Sequence, residues 1–182
     1  KHPMPLHEDM EPGPIIPYAI QKRVGEQYCE MVSRFYGLET VSLRYFNVYG
    51  PRQTTDADGP YATVIGIFLG QREKGAPMTI VPDGTRRRDF THVRDVARAN
   101  LIAMEAGLVG KGEIINIGCG TNYSILEVAD LIGGPRVFIE PRQGEVKETL
   151  ADCRRAKEFL GWESEVSFEE GIAELKKLHG LA

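Results

Sequence analysis

The sequence predicts an α/β protein. Short β-branched and aromatic runs alternate along it with longer stretches of helical period. Two capping boxes, Ser124-Ile-Leu-Glu127 and Ser167-Phe-Glu-Glu170, open further helices late in the chain. Residues 1–17 hold five prolines and no period, which reads as an irregular, extended lead-in. Pro17 suits the first turn of a helix. Over 18–36 the apolar residues Val24, Tyr28, Met31, Val32 and Phe35 share one face, with Arg23, Glu26, Gln27, Glu30 and Arg34 opposite, and Gly37 is a stop. Residues 40–46 read as a strand and 47–60 as a loop. A helix follows over 61–74, then a strand over 78–81 closed by the turn Pro82-Asp83-Gly84. A helix over 93–106, a strand over 113–117, a short helix from Ser124 and a strand over 137–139 come next. Asp152 is placed to cap a helix that stops at Gly161, and Ser167 starts the last one.

The 182 residues suit one ordinary domain or a large piece of a bigger one. With 42% apolar and 26% charged residues the chain can build a core, which excludes disorder. Lys+Arg number 22 against 26 Asp+Glu, giving a net charge of −4. That balance argues against a nucleic-acid partner, so any anion must be gripped by a local arginine cluster. Cys29, Cys119 and Cys153 are far apart and odd in number, against a disulfide framework or zinc site and for a reducing, cytoplasmic setting. The longest mostly apolar run, 61–69, is too short to cross a bilayer, so no membrane partner is expected.

Two constellations carry chemistry. In Tyr18-Ala-Ile-Gln-Lys22 the tyrosine and lysine fall four apart on one helix face, and the column continues through the small Gly25 and Cys29. Such a face suits a flat ligand. A lysine ammonium favours the phenolate of a nearby tyrosine, which makes that tyrosine a better general base. The same spacing alone also fits a surface tyrosine beside a solvated lysine. In Leu43-Arg-Tyr-Phe-Asn-Val-Tyr-Gly-Pro-Arg52, Asn47 sits just past the carboxyl end of a strand, where α/β sheets bind ligands. It also fits a turn-forming asparagine.

The segments PYAIQKRVGEQYCE and RYFNVYGPRQ, followed by DGTRRRDFTHVRDVARA, NIGCGTNYSILEVAD and PRQGEVKETLAD, resemble the extended short-chain dehydrogenase/reductase family, specifically its nucleotide-sugar epimerases and dehydratases. The resemblance runs from about residue 8 onward. It implies the C-terminal portion of an extended Rossmann-type epimerase, with a small mixed α/β substrate-binding domain. Residues 1–60 would be the remnant of the cofactor-binding domain. Residues 61–182 would be mainly sugar-nucleotide-binding, with 93–117 packing back on the cofactor-side sheet. It implies NAD as cofactor, a UDP-sugar as substrate, and a homodimer. Tyr18 matches the catalytic base and Lys22 its partner on the nicotinamide ribose. Tyr45 and Phe46 match residues lining the nicotinamide side, Asn47 a substrate-contacting amide, and Thr79, Ile80 and Val81 the strand that receives the base. Arg88 and Arg142 match a diphosphate pair, and Glu145 an acid at the nucleotide ribose. Thr149 matches a position where a small residue leaves room for an N-acetyl group at the sugar's C2.

The residue chemistry agrees, since planar guanidinium groups pair bidentately with phosphate. Arg86 and Arg87 read as a solvated charge run, whereas Arg88 precedes Asp89 and an aromatic in a strand-like context. The family's glycine-rich cofactor turn and its serine or threonine ahead of the YxxxK helix have no counterpart, so the main NAD-binding half is expected to be absent and the chain alone inactive. The implied activity is epimerisation at C4 of a UDP-hexose. A related dehydratase or UDP-glucuronate enzyme, a nucleotide-sugar-binding module, and a dimerisation piece remain open.

Overall fold

A computed structural model describes residues 3–13, 16–55, 62–141 and 146–181. The elements run α1 (Pro17–Tyr36), β1 (Thr40–Tyr45), β2 (Val48–Tyr49), α2 (Val64–Glu73), β3 (Met78–Ile80), β4 (Arg87–Asp89), β5 (Thr91–His92) and α3 (Val93–Glu105). They continue with β6 (Lys111–Ile117), β7 (Asn122–Ser124), α4 (Ile125–Ile132), β8 (Arg136–Phe138), α5 (Arg154–Leu160) and α6 (Phe168–Leu178). The α/β class is confirmed. Strands pair two by two: β1–β6, β2–β5 and β3–β8 parallel, β4–β7 antiparallel.

Two cores result. In one, Val96, Ala99, Ala103, Ala156, Leu160 and Trp162 close over Ile115 and Ile117 of β6, with Val41 and Leu43 of β1 packed against them. Trp162 Nε1 donates to the Asp95 carbonyl at 3.1 Å, and the Asp95 carboxylate accepts from the backbone N–H of Glu165 and Val166, tying the C-terminal stretch to α3. In the other, Ile65, Phe68, Leu69, Met78, Ile80, Val128, Ile132, Ile172 and Leu175 pack around Tyr49, Phe90 and Phe168. The rings of Phe90 and Phe168 stack at 5.1 Å.

The apolar column of α1 that holds Val24, Tyr28 and Phe35 is open: no residue of α1 is buried, and Tyr28 and Phe35 are 61% and 68% exposed. The helix docks on β1–β6 through its polar side. Glu26 takes a bidentate grip from Arg44 of β1 (2.6 and 2.9 Å), Thr40 Oγ1 donates to the Cys29 carbonyl, and Ser33 Oγ donates to the Gly110 carbonyl. Gly112, at φ +85, allows the close approach, because a Cβ there would lie 2.6 Å from Glu30 Cα.

Differences from the expected elements are small. The 47–60 loop contains β2, held by β5. The lead-in is anchored: Leu6 bridges Ala151, and buried Glu8 accepts from the Asn116 N–H at 2.8 Å. Cys153, not Asp152, is the N-cap of α5; the Asp152 carboxylate instead binds the backbone and guanidinium of Arg154. Both capping boxes form as expected, and Gly37 and Gly161 end their helices in the left-handed region.

Candidate functional site

The cleft lies where β1, β3 and β4 end. It encloses about 400 Å³ and is lined by Asn47, Thr63, Val64, Ile65, Phe68, Thr79, Val81, Arg86, Arg88, Phe90, Ile125 and Ile139, among others. Among its described lining residues Arg86 and Arg88 are the charged ones. Val64 and Ile65 are the first residues of α2, so the positive end of that helix opens on the same space.

Asn47 is the pivot. Its backbone turns at φ +25, which asparagine tolerates better than most residues. Its amide nitrogen donates to the Asp89 carbonyl at 2.9 Å and to Thr149 Oγ1 at 3.1 Å. Both amide protons are thereby used, and Oδ1 remains as an acceptor. Thr149 Oγ1 also accepts from the Asp89 N–H at 3.2 Å. Asp89 is fully buried, and its carboxylate accepts from the N–H groups of Cys119, Gly120 and Ala151 at 2.8–3.0 Å. Burial pushes its pKa up, and these three bonds oppose that shift. One carboxylate thus joins β4, the loop after β6, and the segment that carries Thr149.

Thr79 and Val81 line the cleft, whereas Ile80 turns into the core with no exposure. Gln71 of α2 holds the Thr79 N–H and hydroxyl at 2.9 and 2.8 Å. The Arg88 guanidinium donates to the Arg87 carbonyl at 2.9 Å while lining the cleft. Arg142 and Glu145 lie outside the described residues.

Tyr18 and Lys22 stand apart from that cleft, on the first turns of α1. Tyr18 is 64% exposed and Lys22 Nζ sits 5.3 Å from its ring centroid. The helix geometry brings the pair together as the spacing predicts. Tyr45 goes to the opposite side of β1, where its hydroxyl donates to Asn100 Oδ1 of α3 at 2.9 Å. Phe46 continues the pairing, its N–H donating to the Ile117 carbonyl.

Arg86 corrects the sequence reading. Expected on a solvated face, it lines the cleft, with Nη1 3.4 Å from the Pro82 carbonyl. The available signal was the period-2 relation to Arg88. Arg87 points the other way and is held by Asn122 and Glu127. Burial pushes the Cys119 and Cys153 thiols up to about 11 and about 12, so both stay protonated near neutral pH and are not nucleophiles.

Comparisons with known proteins agree with this architecture. The profile of the NAD dependent epimerase/dehydratase family matches residues 1–118, and the chain belongs to that family. It is similar to UDP-glucose 4-epimerase from Thermotoga maritima, solved with UDP-glucose. The identity is 40% and the TM-score 0.87, over 97% of this chain and 57% of that one. It is also similar to UDP-glucuronic acid 4-epimerase from Bacillus cereus, solved with UDP-glucuronic acid and NAD. Here the identity is 32% and the TM-score 0.85, over 98% of this chain and 58% of that one. The UDP-glucose 4-epimerase of Mycolicibacterium smegmatis is 37% identical over 175 residues, 93% of this chain and 54% of the relative. The chain spans about half the length of the curated relatives it matches.

Proposed function

We propose that this chain carries the nucleotide-sugar cleft and the catalytic tyrosine of an NAD-dependent epimerase acting at C4 of a UDP-hexose. The observation that carries the reading is the cleft itself: apolar walls, two arginines, a helix N-terminus, and the Asn47 acceptor at the end of β1. The arginines Arg88 and Arg142 hold the diphosphate, residues 79–81 receive the base, and Glu145 takes the nucleotide ribose. Asn47 Oδ1 accepts from a sugar hydroxyl. Thr149, small and bonded to Asn47, leaves room beside C2.

Tyr18 removes the proton from the 4-hydroxyl, and Lys22, beside its ring, binds the nicotinamide ribose. The exposure of both side chains on one helix face fits that end of NAD, with Phe46 towards the nicotinamide, whereas Tyr45 faces α3 and bonds Asn100. NAD, when bound there, would supply the hydride exchange at C4. Among the described residues no glycine-rich strand-to-helix turn is present to hold the pyrophosphate of NAD. On this reading the grip on that pyrophosphate comes from residues other than these, while the family model itself matches residues 1–118. Division near residue 60, with 93–117 on the cofactor side, is supported by the separate core that α3 and β6 build with β1. Relatives acting on UDP-glucose and on UDP-glucuronate both match, so the C6 substituent is left open.

Thermal melting of the 182-residue chain tests the reading. A ligand that binds only the folded state raises Tm. The expected result is a rise with millimolar UDP and none with millimolar NAD. No rise with UDP, or a clear rise with NAD, contradicts it.

A further inference from the structure

We propose that Glu8 is a positioning residue. With Asn116 it fastens the lead-in of the Tyr18 helix to the segment that carries Thr149, so that a ligand at the sugar side of the cleft steadies the approach to the tyrosine. The ligand half of this rests on the reading of the cleft as a nucleotide-sugar site. Among the described strands β6 pairs only with β1. The Ile117 carbonyl accepts from Phe46 on that side, so the alternate groups, the Ile114 carbonyl and the Asn116 N–H, face the other edge. Side chains satisfy them there. Glu8 Oε1 accepts from the Asn116 N–H at 2.8 Å, and Arg155 Nη1 donates to the Ile114 carbonyl at 3.2 Å. Arg155 Nη2 also donates to both Asp9 oxygens at 2.7 Å, and its Nε lies 3.9 Å from Glu8 Oε2. Two carboxyl groups of the lead-in and one guanidinium thus do for this edge what a further strand would do.

The Asn116 side chain closes the junction. Its Nδ2 donates to the Leu6 carbonyl at 2.9 Å and approaches the Asp152 carbonyl at 3.5 Å. Leu6 pairs by backbone with the same stretch, its N–H donating to the Leu150 carbonyl and its carbonyl accepting from the Asp152 N–H. Glu8, Asn116, Ala151 and Asp152 are all buried. Residues 150–152 therefore sit between two ties, the lead-in and the Asp89 carboxylate that takes the Ala151 N–H. Thr149, next in the chain, bonds Asn47 and the Asp89 backbone. At its other end the lead-in enters α1, whose first turn carries Tyr18 and has no side-chain cap of its own. The Asp152 N–H cannot open without releasing Leu6, so the two stretches open as one unit. Whatever steadies Thr149 steadies the lead-in through that unit.

Amide hydrogen exchange in the 182-residue chain, with and without millimolar UDP-glucose, tests this. In the wild type the sugar nucleotide should slow exchange at 147–152 and also at 6–9. Glu8→Ala leaves the buried Asn116 N–H without its acceptor. Without ligand it should speed exchange at 6–9 and in the first turn of α1 roughly 10-fold or more. The amides of Phe68, Leu69 and Ile172 in the aromatic core should keep their rates. In this variant UDP-glucose should still protect 147–149, with the protection of 6–9 largely lost. Glu8→Gln, whose amide oxygen can accept the same N–H, should restore most of both effects. Unchanged rates in Glu8→Ala, or a uniform acceleration that includes the core, overturns the proposal and leaves the nucleotide-sugar reading standing. So does wild-type protection confined to 147–152, a measurement that decides even if the alanine variant fails to fold. Protection nowhere with UDP-glucose, beside selectively faster ligand-free exchange in Glu8→Ala, overturns the nucleotide-sugar reading and the coupling to it, and keeps the junction.

Discussion

Asp89 shows how much one side chain can organise. Its carboxylate accepts three backbone N–H groups from two separate segments, and its own backbone bonds Asn47 and Thr149. Asp89→Ala leaves three buried donors unpaired, each costing about 1–3 kcal/mol. We expect it to lower stability by about 3 kcal/mol or more, and Asp89→Asn, which turns an N–H₂ group toward donors, to lower it as well. Urea unfolding measures this; a change under about 0.5 kcal/mol, the level of an ordinary surface substitution, contradicts it. The strand-end position of Asn47 and the strand context of Arg88, which put both on the cleft, are legible in the sequence. The Asp89 latch is not, because its three partners come from residues 119–120 and 151, and contacts that distant leave no local pattern. Arg86 lies between these cases: its period-2 relation to Arg88 is visible, but a three-arginine run looks the same when it is solvated.

At the scale of elements, α1 is held by charge rather than by a greasy seam. Glu26 is nearly enclosed between Arg44 and Arg23. Burial pushes its carboxyl up, but the hydrogen bonds and charges of Arg44 and Arg23 outweigh this and hold it below its ordinary 4.5. A depressed folded-state pKa contributes stability that is full above the unfolded value and is lost as pH falls through the folded one. Glu26→Gln should therefore lower Tm at pH 7, with the gap to wild type closing below about pH 4. Melting curves from pH 7 to 3 check this, and a gap independent of pH contradicts it. The long elements are legible because α1, α3 and β1 carry enough residues to show a period, and Pro17 and Gly37 mark their ends. The two-residue strands β2 and β5 show none, and pairing alone defines them. The apolar column of α1 is legible as well, but that the sheet takes the opposite, polar face is not, because Glu26, Cys29 and Ser33 meet partners far along the chain.

On the scale of the whole molecule, that open column matters most. Tyr28, Phe35 and Tyr36 of α1, with Leu101 and Met104 of α3, are all more than 60% exposed. Among the described strands β1 pairs only with β6, and a cavity of about 450 Å³ opens between its other side and α3. Apolar faces of this kind are covered by association. We expect the chain to run as a dimer or larger species in light scattering, and Tyr28→Glu with Phe35→Glu to shift it toward monomer; a stable wild-type monomer contradicts this. The central claim is that Tyr18 performs the proton transfer for a substrate held in the Arg88 cleft. The most direct test joins this chain to the cofactor-binding half of the Thermotoga maritima relative and follows interconversion of UDP-glucose and UDP-galactose. The chimaera should turn over, and Tyr18→Phe should lower turnover by about 10²-fold or more while UDP affinity stays within a few-fold. Turnover unchanged by Tyr18→Phe would contradict the account.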